Sequence, residues 1–132
     1  NDKKIPIYGT GKNIRDWIFV EDHCDAIIDV LIKGKSGESY NISAGNEIDN
    51  ITIIKKILTI VGKPLENIEF VEDRPGHDFR YSMESTKIRN TLGWSQKEKF
   101  EEGLRKTIDW YLENKEWWMN LDQNVLGATP WK

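Results

Sequence analysis

The stretch NITIIKKILTIVGKPLENIEFVED, Asn50 to Asp73, contains the clearest element of the chain and the change of period that follows it. Ile53, Ile54, Ile57, Leu58 and Val61 recur three and four apart, so a helix gathers them into one apolar stripe. Asn50 is placed to cap the start of that helix. Gly62 suits the first position beyond its end, and Pro64 stops continuation. NIEFVED, Asn67 to Asp73, then reads as a strand. A helix followed at once by a strand points to an α/β chain.

The flanking segments extend that pattern. RDWIFV, Arg15 to Val20, is aromatic and β-branched and predicts a short strand. EDHCDAIIDVLIKG follows as a helix, with Ala26, Ile27, Val30 and Leu31 at helical spacing, acids at its start and Gly34 at its end. ESYNIS, Glu38 to Ser43, predicts another strand. STKIRNTLGW predicts a short helix capped by Ser85 and ended by Gly93. FEEGLRKTIDWYLENKEWW predicts a longer one, buried through Phe100, Leu104, Ile108, Tyr111 and Leu112. PIYGTGKN, Pro6 to Asn13, reads as a glycine turn, and the tail from Asn120 as loose or docked only through Trp131. The expected fold is therefore α/β, with short strands and about four helices. So thin a sheet suits a satellite domain that closes over a substrate.

With 132 residues, a net charge of −3 and 31% charged side chains, the chain suits one domain with an ordinary soluble balance. The acidic balance argues against a nucleic-acid partner, which calls for a basic face. It leaves room for a local basic pocket for one small anion. A lone cysteine, Cys24, forms no internal disulfide and fits a reducing, cytoplasmic compartment. No apolar run reaches membrane-span length, and the start lacks the apolar core of a signal peptide. The first residue is not Met, and we expect the chain to begin inside a longer protein.

EDRPGHDFRY, Glu72 to Tyr81, packs seven ionisable side chains into ten residues around a Pro-Gly turn. Arg74 offers a planar fork of donors suited to phosphate oxygens, and His77 can donate to an anion or a sugar hydroxyl. The same residues equally suit a turn held by Arg74 pairing with Asp73 or Asp78 around a solvated histidine. Arg15 can reach into a cleft, although a local pair with Asp16 or another nearby acid is the commoner role. Asn50 at a helix start can meet an anion or simply cap. GTGK, Gly9 to Lys12, lacks phosphate-loop spacing. Tyr81 and Lys87 stand six apart, not the four that places a catalytic tyrosine–lysine pair on one helical face. His23 and Cys24 are neighbours facing different ways, so no metal is expected. Trp110, Trp117 and Trp118 read as packing surface.

In their order, PIYGTGKNIRDWIFVEDHCDAI, YNISAGNEIDN, DRPGHDFRY, LGW and FEEGLRKTIDWYLENKEWW resemble the C-terminal, substrate-binding part of the dTDP-glucose 4,6-dehydratases. These are extended short-chain dehydrogenases/reductases acting on nucleotide sugars. The resemblance covers residues 1–118 and leaves 119–132 as a tail. It implies that Arg15 and Arg74 contact the diphosphate and that Asn50 and His77 lie at the nucleotide pocket. It also implies that Lys3, Pro6 and Tyr8 run along the thymine base, with a dTDP-sugar as ligand. Ser43-Ala44-Gly45 stands where a more glycine-rich stretch is usual, and Phe79 where a second basic residue is common. The family's NAD loop, catalytic tyrosine and lysine, and acid–base carboxylates belong to an N-terminal Rossmann domain. This chain is therefore expected to bind no NAD, hold no catalytic residue and need that domain as its partner. A related epimerase, or a non-catalytic nucleotide-binding module, is the alternative.

Overall fold

The structure, a computed structural model, describes residues 4–120. Lys3 and the tail residues from 121 onward, Trp131 among them, lie outside the described residues. In chain order the elements are β1 (Ile5–Tyr8), β2 (Ile14–Asp16), α1 (Val20–Lys33), β3 (Glu47–Asp49) and α2 (Asn50–Ile60). A single 3-10 turn (Leu65–Asn67) leads into β4 (Ile68–Val71) and β5 (Arg80–Tyr81). Three helices follow: α3 (Thr86–Leu92), α4 (Phe100–Glu113) and α5 (Lys115–Met119). The α/β expectation holds, with small sheets.

β1 and β4 form a parallel pair, with Ile5 opposite Ile68 and Tyr8 opposite Val71. A second sheet has the order β3-β2-β5. There β2 runs antiparallel to β3 and parallel to β5, with Arg15 opposite both Ile48 and Tyr81. β1 was read as turn and neither β3 nor β5 was foreseen. RDWIFV yields strand only through Asp16. The Asp16 carboxylate accepts the N–H groups of Gly45 and Asn46, each at 3.0 Å, and Val20 already opens α1.

ESYNIS is not a strand. Its alternation is real, because Tyr40 and Ile42 pack on the core, but no neighbouring strand pairs with it. Side chains secure it instead. Ser43 Oγ donates to the Met83 carbonyl at 2.7 Å, Ser85 Oγ donates to the Ser43 carbonyl at 3.1 Å, and Asn41 Nδ2 donates to the Glu84 carbonyl at 3.2 Å. Ser85 thus precedes α3 as expected, yet its hydroxyl serves Ser43 rather than the helix.

The core centres on Ala26 of α1, Ile88 of α3 and Trp94. Only one side of α1 faces it. Ile27 and Leu31, expected inside, are 50% and 83% exposed, and Ile28 and Ile32 accompany them. On α4, Ile108 is buried, whereas Tyr111 and Leu112 are exposed. That helix breaks at Asn114, whose backbone N–H and side-chain amide both donate to the Trp110 carbonyl.

Asp22, in the first turn of α1, is 4% exposed. Its carboxylate accepts the backbone N–H of Lys97 at 2.9 Å and of Glu98 at 3.0 Å, while its own carbonyl accepts the Trp94 indole at 3.1 Å. One residue therefore ties the segment between α3 and α4 to the core. Removing a buried charged acceptor strands its donors, at roughly 1.5–3 kcal/mol per charge-assisted bond. Asp22→Ala is expected to lower unfolding free energy by about 3 kcal/mol or more. Urea titration with fluorescence detection measures it, and a loss within 0.5 kcal/mol contradicts the role.

Candidate functional site

Of the substrate-site residues expected within the described range, Pro6 and Tyr8 lie on β1, Arg15 on β2, Asn50 at the start of α2, and Arg74 and His77 on the loop between β4 and β5. Pro6 lies exposed on β1 opposite Glu69, at a position where the missing N–H is tolerated in a two-stranded pair. Tyr8 ends β1. The turn after it is built from glycine: Gly11 has φ +68°, and a Cβ there would sit 2.7 Å from Ile7 Cγ2 and 3.1 Å from Ile51 Cβ. The turn packs on α2 rather than opening to receive a phosphate.

Arg15 projects from the middle of β2. Its Nη1 donates to the Ile14 carbonyl at 2.6 Å and its Nη2 to the Asp78 carbonyl at 3.0 Å. The guanidinium carbon lies 4.8 Å from the centre of the Tyr81 ring, a cation–π contact across adjacent strands. The expected local pair with Asp16 does not form, because that carboxylate is committed to Gly45 and Asn46.

The loop from 72 to 79 carries Arg74 and His77 between β4 and β5. It docks on β2 through Asn13 Nδ2, which donates to the Asp78 carbonyl at 3.2 Å, and through the Ile14 N–H, which donates to the Phe79 carbonyl at 2.8 Å. The His77 side chain is mostly withdrawn from solvent rather than freely solvated: it is 7% exposed, and its Nδ1 lies 2.7 Å from Asp73 Oδ1. The same oxygen accepts the Arg74 backbone N–H at 2.9 Å. Hydrogen bonding from His77 is the main cause that holds the Asp73 carboxyl below its usual range, with the Arg74 N–H and charge adding to it against partial desolvation. Asp78 accepts the Tyr81 hydroxyl, which raises that phenol's pKa, while the charges of Arg15 and Arg74 both pull it down. Asp73 and Asp78 thus engage partners other than the Arg74 guanidinium, and Arg74 lies exposed. The charges of Arg15 and Arg74 both act on one phenol, against the larger influence of Asp78.

Asn50 is the first residue of α2, and the cap is Asp49, whose carboxylate accepts the Thr52 N–H at 2.9 Å. The Asn50 N–H donates to Asn13 and the Ile51 N–H to Gly11, both to backbone carbonyls. All three leading N–H groups of α2 are therefore satisfied within the protein, and a carboxylate caps them. Of the two roles open to the helix start, an anion on these leading backbone N–H groups is disfavoured, and Asn50 has its side-chain amide to offer a ligand. Gly62 does occupy the position beyond the helix end, with φ +67°.

Sequence reading offered Asp73 and Asp78 only as ion-pair partners of Arg74, and missed Asp73 as the partner of His77 and Asn13 and Tyr81 as groups around Asp78 and Arg15. A usable signal existed for one of them, since Asp73 stands four residues before His77. An apolar cavity of about 240 Å³ lies between the start of α1, α2 and α4, lined by Trp17, Ile53, Phe100 and Leu104 among others. Neither arginine lines it. Among the described residues, no group of three or more His, Cys, Asp or Glu side chains is placed to hold a metal, and no helix is long and apolar enough to cross a membrane.

Residues 1–107 match the family model described as GDP-mannose 4,6 dehydratase. The chain belongs to that family. The dTDP-glucose 4,6-dehydratase of Neisseria meningitidis serogroup B is 48% identical over 138 residues, covering 96% of this chain and 38% of the relative. Among solved structures, the dTDP-glucose 4,6-dehydratase of Bacillus anthracis in complex with NAD superposes with a TM-score of 0.85 at 48% identity, over 91% of this chain and 38% of the other. DesIV, the dTDP-glucose 4,6-dehydratase of Streptomyces venezuelae solved with NAD bound, gives a TM-score of 0.88 at 39% identity, over 91% of this chain and 37% of that one. The resemblance read from the motifs is thus met, and the chain spans less than two fifths of the length of these relatives.

The other face of the β3-β2-β5 sheet carries a clamp. Arg80 makes two bonds to Glu47, at 2.8 and 2.7 Å, and Ser82 adds a third at 2.6 Å. These bonds, the Arg80 guanidinium first, hold the Glu47 carboxyl at about 2, against an ordinary 4.5. A depressed carboxylate pKa contributes stability above the unfolded value and loses it as pH falls through the folded one. The clamp is therefore expected to weaken between pH 4.5 and about 2. Thermal midpoints across that window should fall less steeply in Glu47→Gln than in the unsubstituted protein. Parallel slopes would show that the clamp contributes nothing.

Proposed function

We propose that this chain forms the nucleotide-binding wall of a dTDP-glucose 4,6-dehydratase, a lyase that converts dTDP-glucose to its 4-keto-6-deoxy product. The observation that carries this reading is the placement of Arg15 over Tyr81, with Arg74 on the loop that docks against β2 beside them. Two guanidinium forks suit a diphosphate, whose oxygens only accept. His77 and the Asn50 amide supply polar contacts beside them, and Pro6 and Tyr8 offer an edge for the thymine ring. A cytoplasmic setting agrees with an exposed, unpaired thiol at Cys24.

NAD does not fit the residues described. The glycine turn after β1 is filled by Ile7 and Ile51, and the Asp73 carboxylate fills the space beside Gly9. The leading N–H groups of α2 are already used. In this reading the dinucleotide belongs to a Rossmann domain outside the chain. The exposed stripe of α1, with Cys24, Ile27, Ile28, Leu31 and Ile32 at helical spacing, is the surface we assign to that domain.

Titration of dTDP against the full-length protein tests the wall. Arg74→Ala is expected to weaken binding about 10- to 150-fold, the worth of one charge-assisted contact. Unchanged affinity would remove Arg74 from the site. The α1 assignment has its own check in maleimide labelling of Cys24, followed by peptide mass spectrometry. Cys24 should react slowly in the folded full-length protein at any dilution, and fast labelling would show the stripe to be uncovered.

A further inference from the structure

Asp73 holds His77 more firmly than an exposed loop would suggest. Its Oδ1 takes both His77 Nδ1 at 2.7 Å and the Arg74 N–H at 2.9 Å. Its Oδ2 faces Gly9, where an added Cβ would lie 2.7 Å away. Gly9 is itself fixed by its N–H, which donates to the Val71 carbonyl at 3.0 Å. The carboxylate is thus seated between the end of β1 and the ring. An ionised carboxylate only accepts hydrogen bonds, so Nδ1 must carry the proton. The ring is 7% exposed, yet no buried side-chain nitrogen or oxygen among the described residues lacks a partner. Nε2 makes no hydrogen bond to a described residue, and it is therefore the atom the ring presents to solvent.

We propose that Asp73 is a positioning residue that locks His77 in its Nδ1-protonated tautomer, so that Nε2 accepts a hydrogen bond from a hydroxyl group of the bound nucleotide sugar. The proposal rests on the reading of this surface as a nucleotide site. Phosphate oxygens are acceptors and are served by the two guanidinium groups. In the tautomer with its proton on Nδ1, the bare Nε2 lone pair disfavours them and selects an O–H donor. Charge recognition and hydroxyl recognition are thereby divided between Arg74 and His77, three residues apart on one loop.

The test uses full-length protein with ring-¹⁵N histidine, and His77→Gln identifies the His77 signals. At pH 8 the expected spectrum has a protonated Nδ1 and an unprotonated Nε2. Asp73→Ala should shift the population toward the opposite tautomer, a change that mere loss of stability does not produce. The KM for dTDP-glucose should rise about 3- to 10-fold in Asp73→Ala, as expected for one neutral hydrogen bond, with kcat within twofold. His77→Ala should match it, and the double variant should lose no more than His77→Ala alone. A protonated Nε2 in the unsubstituted protein at pH 8, or losses that add in the double variant, would overturn the proposal. Arg74→Ala separates the two levels. Unaltered dTDP affinity in that variant would remove Arg74, and with it this loop, from the nucleotide site and so overturn the hydroxyl contact, while the nitrogen shifts still decide whether Asp73 sets the tautomer.

Discussion

A single backbone oxygen, the carbonyl of Asp78, joins the parts of the candidate site. It accepts from Asn13 on the approach to β2 and from Arg15 on β2 itself. Those two bonds bring loop 72–79 against the sheet and allow β5 to run beside β2 for two residues. Tyr81 then stacks under Arg15, and Arg74 and His77 are carried to the same edge. A two-residue strand has little ladder energy of its own, so the loop's position depends on side chains reaching backbone.

The same economy runs through the rest of the fold. The sheets have two and three strands and leave much backbone without ladder partners. Short polar side chains supply the missing bonds: Asp16 for Gly45 and Asn46, Asp22 for Lys97 and Glu98, Ser43 and Ser85 for each other's segments. Buried backbone groups must be paired one way or another. Here irregular segments are pinned by residues whose types would suit a solvated loop equally well.

That arrangement explains what the sequence disclosed. α2 was legible because a full apolar stripe and a Gly-Pro stop are local signals, although its cap proved to be Asp49 rather than Asn50. β3 and β5 were not, because two or three residues carry no period and their pairing depends on partners over 30 residues away. ESYNIS alternates as a strand does, yet strand identity requires a neighbour that is absent. α1 is apolar on more than one side, and nothing local decides that Ala26 and Val30 turn inward while Leu31 turns out. In the site, residue types flagged Arg74 and His77 through their density in one turn. The partners that orient them, Asp73 and Asn13, are ordinary loop residues whose roles arise only from folding.

Arg15 also bears on how binding free energy divides between folding and ligand contact. Two carbonyls and an aromatic ring already hold its guanidinium, so much of its rotamer freedom is lost when the chain folds rather than when a ligand arrives. The three N–H donors left on the fork, of five in all, meet an anion from a preset angle. Arg74, exposed and engaged only through its backbone, still has that freedom to lose. The two arginines can therefore carry the same charge and differ in entropy: one is a fixed template, the other a clasp that orders on contact.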